Sequence, residues 1–149
     1  MKARLWAAVV AATILFTGGA SAAEYGTAEE ARAMLERVVV AMREDQVAAL
    51  AKFNAGDAGF RDRDLYPFCI GADGRTVAHV DAAQLGQPIR DLKDVDGKAF
   101  GEEILKVAEE GEIKEVTYKM TRPGLQEPLP KVSFVTKIGD QICGVGYYK

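Results

Sequence analysis

Apolar residues fall at Ala31, Met34, Leu35, Val38, Val39 and Met42, with Glu29, Arg32, Glu36 and Arg43 outside that set. This spacing of three and four predicts an amphipathic helix. Thr27-Ala28-Glu29-Glu30 precedes it in the T-x-x-E form of a capping box. Glu44-Asp45 can end the helix, with Asp45 capping a continuation through Val47, Leu50 and Phe53, before Asn54, Gly56 and Gly59 break it. The expectation is one long amino-terminal helix with a kink near Asp45.

From Leu65 the period changes. LYPFCIGA is rich in strand formers, with Pro67 marking a strand start or an edge because it lacks an amide hydrogen. Asp73-Gly74 is a hairpin signal, and RTVAHV is its return strand. A loop through Gly86 and Pro88 leads to DLKDVDGK and a short helix from Phe100 to Glu109 that stops at Gly111. Val116, Tyr118 and Met120 then alternate with Thr117, Lys119 and Thr121, which predicts a half-buried strand. Arg122 to Pro130 carries three prolines and a glycine and reads as a loop. Lys131 to Ile138 alternates again, with Val132, Phe134, Thr136 and Ile138 on one face and Lys131, Ser133, Val135 and Lys137 on the other. Gly139-Asp140 turns the chain into QICGVGYY. Helix, two strands, short helix and three strands make an α+β domain with five antiparallel strands.

The amino terminus has a different pattern. Lys2 and Arg4 precede an uncharged run of 12 residues, Leu5 to Phe16, and small residues follow with Ala20 and Ala22 in A-x-A spacing. That order is the order of a secretory signal. A 12-residue helix rises only about 18 Å, short of a bilayer core of about 30 Å. Residues 1–22 are therefore expected to be a cleaved signal peptide, with an uncleaved anchor as the other reading. Residues 23–149 form one domain. It has 127 residues, 17 Lys+Arg and 22 Asp+Glu, a net charge of −5. No basic excess is present to neutralise phosphates, so nucleic acid is not an expected partner. One histidine excludes a His-rich metal site, and no cofactor is expected.

The order LYPFCIGADGRTVAHVDAAQLGQPIRDLKDVDGKAFGEEILKVAEEG, VTYKMTRPG, PKVSFVTKIGDQICGVGYYK resembles the single-Cache sensor domains. These are extracytoplasmic ligand-binding modules of bacterial chemoreceptors and kinases, and the likeness runs from Thr27 to Lys149. It implies a long helix leaning on a PAS-like five-stranded antiparallel sheet, with a small ligand, often a short organic acid, between the sheet and the loops above it. Receptors of the family carry transmembrane helices and an output domain. This sequence reads instead as a stand-alone exported member in the periplasm.

The resemblance puts the family's P-K lysine at Lys131, where an ammonium can pair with a ligand carboxylate. The alternative is a solvated lysine at a strand end. Tyr118 and Tyr147 lie on strands of the same sheet and offer a ring and a hydroxyl to a polar ligand, or simply core packing. His79 reads as a hydrogen-bonded structural residue or as the pocket rim. Phe68 and Ser133 complete the implied ligand set. Cys69 and Ser133 are conceivable nucleophiles, but neither stands in a sharp nucleophile turn, so no catalysis is expected. Leu92 to Glu103 partly mimics a calcium loop with Asp94, Asp96, Gly97 and Glu103, yet its first ligand position is Leu92; Asp96 reads more simply as a helix cap. The family fold makes the first and last strands neighbours, so Cys69 and Cys143 are candidates for a disulfide.

The functional expectation is a non-enzymatic domain that binds a small, anionic molecule and signals through a membrane receptor or histidine kinase. The alternative is an accessory protein without a ligand. It would dock a receptor, or form a homodimer, through an exposed stripe at Ala31, Met34, Leu35 and Val38.

Overall fold

The computed structural model describes residues 23–149; residues 1–22, the stretch expected to be a signal peptide, lie outside them. Helix α1 spans Ala28–Glu44 and opens with the expected capping box. The Thr27 hydroxyl accepts from the Glu30 amide at 3.2 Å, and the Thr27 amide donates to the Glu30 carboxylate at 2.8 Å. Asp45 has extended backbone geometry and its carboxylate accepts from the Ala48 amide. The single kinked helix of the sequence reading is therefore two helices, α1 and α2 (Gln46–Ala55), because a capping aspartate restarts the hydrogen-bond ladder instead of bending it. Gly56, in left-handed geometry at φ 66°, ends α2.

Five strands follow: β1 (Pro67–Ile70), β2 (Thr76–Ala78), β3 (Lys114–Thr121), β4 (Pro128–Ile138) and β5 (Gln141–Tyr148). They form one antiparallel sheet in the order β2-β1-β5-β4-β3, so the last strand inserts beside the first. Cys69 and Cys143 face each other across β1 and β5, and the disulfide is formed. Three boundaries differ from the sequence reading. The first hairpin is shorter than LYPFCIGA and RTVAHV suggest, and its register shifts between Cys69 and Ile70. β4 starts at Pro128, inside the predicted proline loop. Tyr148, the last residue of β5, pairs with Lys131, and beyond it only the Lys149 amide reaches back, to the Pro130 carbonyl; Pro128 and Pro130 thus lie past the end of β5, where a missing amide hydrogen is tolerated. Helix α3 spans Phe100–Val107, ending two residues before the predicted Glu109.

Asp96 does not cap α3, whose N-cap is Ala99. Asp94 organises that loop: one carboxylate oxygen accepts from the amides of Asp96 and Lys98, and the other from the amide of Lys119. Asp96 pairs with the Lys119 ammonium at 2.7 Å. The carboxylates of the calcium-like stretch thus tie the α3 approach to β3.

The sheet divides the core in two. Ala31, Met34, Leu35 and Val38 of α1, with Phe53 of α2, pack on Cys69, Phe134, Cys143 and Val145. Each fully buried Leu, Met, Val or Phe among them contributes about 1.5–3 kcal/mol by leaving water. On the other face, Phe68, Ile70, Val116, Tyr118 and Val135 meet Ile89, Phe100 and Ile104 from α3 and the loop before it. The helix side of β3 is open to solvent, which is why Glu115, Thr117 and Lys119 alternate there with the buried Val116 and Tyr118.

Candidate functional site

A cavity of about 660 Å³ lies between the second face of the sheet and the loops and α3 that cover it. Its floor follows from two glycines in β5. A side chain at Gly146 would run into the Lys131 stem and the Ser133 hydroxyl, and one at Gly144 would meet the Phe68 ring. Having no Cβ at these two positions lets Lys131 and Phe68 lie across the strand.

Lys131 occupies the deep end. It is 4% exposed, and its ammonium donates to the Tyr66 hydroxyl at 3.3 Å while standing 4.8 Å from the centres of the Tyr66 and Tyr148 rings. Among the described residues no carboxylate forms an ion pair with it. Burial pushes its pKa down to about 8, against a smaller upward pull from Asp64. Near neutral pH it is thus a buried, mostly charged ammonium held by aromatic faces and one hydroxyl.

Tyr118 lines the cavity from β3, stacked on Phe100 with ring centres 4.1 Å apart. Its hydroxyl shares a 2.8 Å hydrogen bond with Ser133, and burial raises its pKa. Ser133 is fully buried and holds Tyr118; it is not part of the cavity wall. His79 stands at the rim, edge-on to Tyr66 at 5.1 Å. Asn54 fixes it by accepting from the His79 amide and donating to the Val77 carbonyl. The ring's Nδ1 accepts from the Asp81 amide, which leaves the ring proton on Nε2. Burial and the Lys131 charge push its pKa below the ordinary 6.5, so it is neutral at pH 7.

Of the six residues singled out from sequence, Lys131, Tyr118, His79 and Phe68 come together at the cavity. Ser133 stands behind them. Tyr147 does not join them: it is on the helix side, stacked on Phe134 at 5.6 Å. Its neighbour Tyr148 faces Lys131 instead, because one step along a strand reverses the face. Cys69 is tied up in the disulfide with Cys143, and Ser133 is fully buried behind the cavity wall, hydrogen-bonded to Tyr118.

Sequence reasoning missed Tyr66, Asp64, Arg122 and Tyr148. Arg122 and Asp64 form a buried ion pair at 3.1 Å, without good hydrogen-bond alignment between Nε and Oδ2. The other Asp64 oxygen accepts from the Gly26 amide at 2.7 Å. The Arg122 guanidinium stacks on Tyr25 at 3.6 Å and on Tyr148 at 4.8 Å. Arg63, with a left-handed backbone at φ 53°, donates to the carbonyls of Ala23 and Tyr25 and pairs with Glu30. The segment before α1 is therefore fastened to the cavity wall. A tyrosine before the first strand and the R-P-G at the end of β3 were the available signals.

A second depression of about 430 Å³ lies by the Asp73-Gly74 turn, but its charged residues Asp73, Arg90, Asp91, Lys137 and Asp140 are all exposed.

A model of the Cache domain matches residues 31–149. Among solved structures, a methyl-accepting chemotaxis protein from Vibrio parahaemolyticus is similar, with a TM-score of 0.65 at 20% identity, over 80% of this chain and 86% of that one. A periplasmic sensor domain of a chemotaxis protein gives 0.59 at 24% identity, over 80% and 88%. A Cache chemosensory domain described for carboxylic acid recognition gives 0.57 at 23% identity, over 80% and 86%. At these identities the likeness is one of fold. No curated protein matches the chain.

Proposed function

Since the chain belongs to the Cache domain family, we propose that it is a periplasmic sensor domain that binds a small carboxylate through Lys131 and has no catalytic role. Residues 1–22 act in this reading as a cleaved export signal. The Cys69–Cys143 disulfide fits an oxidising compartment. The observation that carries the reading is the Lys131 ammonium, buried at the end of a cavity with no carboxylate of the described chain to neutralise it. A buried charge without a counter-ion is costly, and an anionic ligand supplies what the fold omits. Tyr66 donates or accepts beside it, His79 contributes an Nε2–H at the rim, and Phe68 and Tyr118 form walls.

Occupancy has a route outward. Lys131 touches Tyr148, Tyr148 touches Arg122, and Arg122 with Asp64 holds Tyr25 and Gly26 at the start of α1. A ligand that drew Lys131 toward it would change the packing of that chain of contacts, and a membrane receptor or kinase would read the altered α1 end. The accessory-protein reading loses its main support. The stripe at Ala31, Met34, Leu35 and Val38 is 0–1% exposed and lies against the sheet.

The test is a thermal-shift screen of the purified protein against amino acids, short organic acids and purines. A ligand present at about 100 times its Kd stabilises by about 2.7 kcal/mol. A saturable rise with acids, weakened about tenfold or more in Lys131→Ala, is the expected result. A flat screen, or an unchanged affinity in that variant, overturns the reading.

A further inference from the structure

Resting on that reading, we infer that the cavity is built for an acid with an apolar body and no ammonium beside its carboxylate, such as an aryl-alkanoic or medium-chain alkanoic acid. Two independent features carry this: where the charges stand and what lines the space between them.

An α-amino acid carries its ammonium one carbon from its carboxylate. With the carboxylate on Lys131, that ammonium comes to rest at the same deep end, close to a like charge. It needs a buried acceptor carboxylate, and no free one stands there. Asp64 is the nearby acid, but it does not line the cavity; one oxygen accepts from the Gly26 amide and the other is ion-paired with Arg122. Asp81 is the one carboxylate on the cavity wall. It is exposed, and one of its oxygens accepts from the Ala83 amide. His79 is neutral, and its Nδ1 lone pair is taken by the Asp81 amide. An ammonium in this end would be desolvated beside a like charge with no free carboxylate to pair with, an arrangement that disfavours such a ligand.

Much of the space beyond Lys131 is apolar, although Thr76, Gln84, Lys93 and Thr121 also line the cavity. Phe68, Ile89, Phe100, Ile104 and Met120 line it, and Leu125, 45% exposed at the rim, offers surface that an occupant's tail would cover. The volume of about 660 Å³ lies in the range of roughly 300–1,000 Å³ typical of sites for sizeable ligands. A two- or three-carbon acid would satisfy Lys131 and leave this wall wet. An apolar body satisfies both.

Matched pairs test the inference by calorimetry on the oxidised protein at pH 7: 3-phenylpropanoate against L-phenylalanine, hexanoate against L-norleucine, and acetate as the short acid. Each pair differs only by the α-ammonium. The expected result is that 3-phenylpropanoate and hexanoate bind more tightly than their amino partners and than acetate, by about tenfold or more, and that Lys131→Met abolishes the preference. Equal or tighter binding of the amino acids overturns the inference while leaving the carboxylate site standing. Acetate binding as tightly as hexanoate overturns the apolar-body half. Failure of every acid overturns the carboxylate reading and this inference with it.

Discussion

On the helix side of the sheet, Met34, Leu35 and Val38 meet Phe134 and Val145, and none of these side chains needs a polar partner. On the cavity side of the same strands, Lys131, Ser133 and Tyr118 are as deeply buried, yet each is polar. Ser133 and Tyr118 satisfy one another; Lys131 has only a hydroxyl at 3.3 Å and two aromatic faces. A sheet built for stability alone would place Met or Leu at residue 131. The contrast shows one face that is purely packed and another that, beside its own apolar core of Ile70, Ile104, Val116 and Val135, gives up stability to keep a charge and an open volume.

The largest effect is expected where the two faces share an axis. Replacing both Cys69 and Cys143 by Ala removes a cross-link spanning 74 residues of sequence separation, worth about 4 kcal/mol in the chain-entropy model. Denaturant unfolding should show that loss, and a change below about 1 kcal/mol would mean that the sheet holds without it.

Leu35→Ala on the helix side should lower stability by about 3 kcal/mol through transfer and cavity effects. It should leave ligand affinity unaltered, since Leu35 does not reach the cavity. A large change in affinity would erase the division between the faces.

Lys131→Met should do the reverse, abolishing acid binding while raising the stability of the empty protein by about 1–3 kcal/mol at pH 7. The pH dependence sharpens this. Below pH 8 the lysine is protonated both in the fold, where its pKa is about 8, and in the unfolded chain, where it is near 10.5. The burial penalty is then present in full. Between those values only the unfolded chain holds the proton, so wild-type stability should gain on the Met variant by about 1.4 kcal/mol per pH unit. A difference between wild type and variant that stays flat from pH 8 to 10 would show that the ammonium is not desolvated.

The smallest effect separates neighbours. Tyr148→Phe removes a hydroxyl that donates to the Thr121 carbonyl at 2.9 Å, and should lower stability by about 1 kcal/mol. Tyr147→Phe, whose hydroxyl has no hydrogen-bond partner among the described residues, should change it by less than about 0.5 kcal/mol.

That pair also shows how far the sequence could be read. Alternation alone separated Lys131, Ser133 and Val135 from Val132, Phe134 and Thr136, and β4 keeps that division. For QICGVGYY the same rule groups Cys143 with Val145 and Tyr147, but not which side of the sheet they take. Cys143 pairs with Cys69 under the helices, which commits Tyr147 to that side and Tyr148 to the cavity. Pairing between residues far apart in the chain made that choice, and no local period contains it. Arg122 and Asp64 were invisible for the same reason: one follows the end of β3, the other precedes β1, and only the folded sheet joins them. The capping box at Thr27, by contrast, depends on residues three apart and was legible at once.

The disulfide also has a mechanical meaning. His79, Phe100, Tyr118, Arg122 and Lys131 lie between Cys69 and Cys143 in the chain, so they sit on a covalently closed ring. Tension applied at the two ends of the domain passes from β1 to β5 through sulfur and bypasses that ring. The helices and the end of β5 can be pulled outward while the ring stays closed. The α1 end and the end of β5 are thus loaded separately from most of the cavity walls.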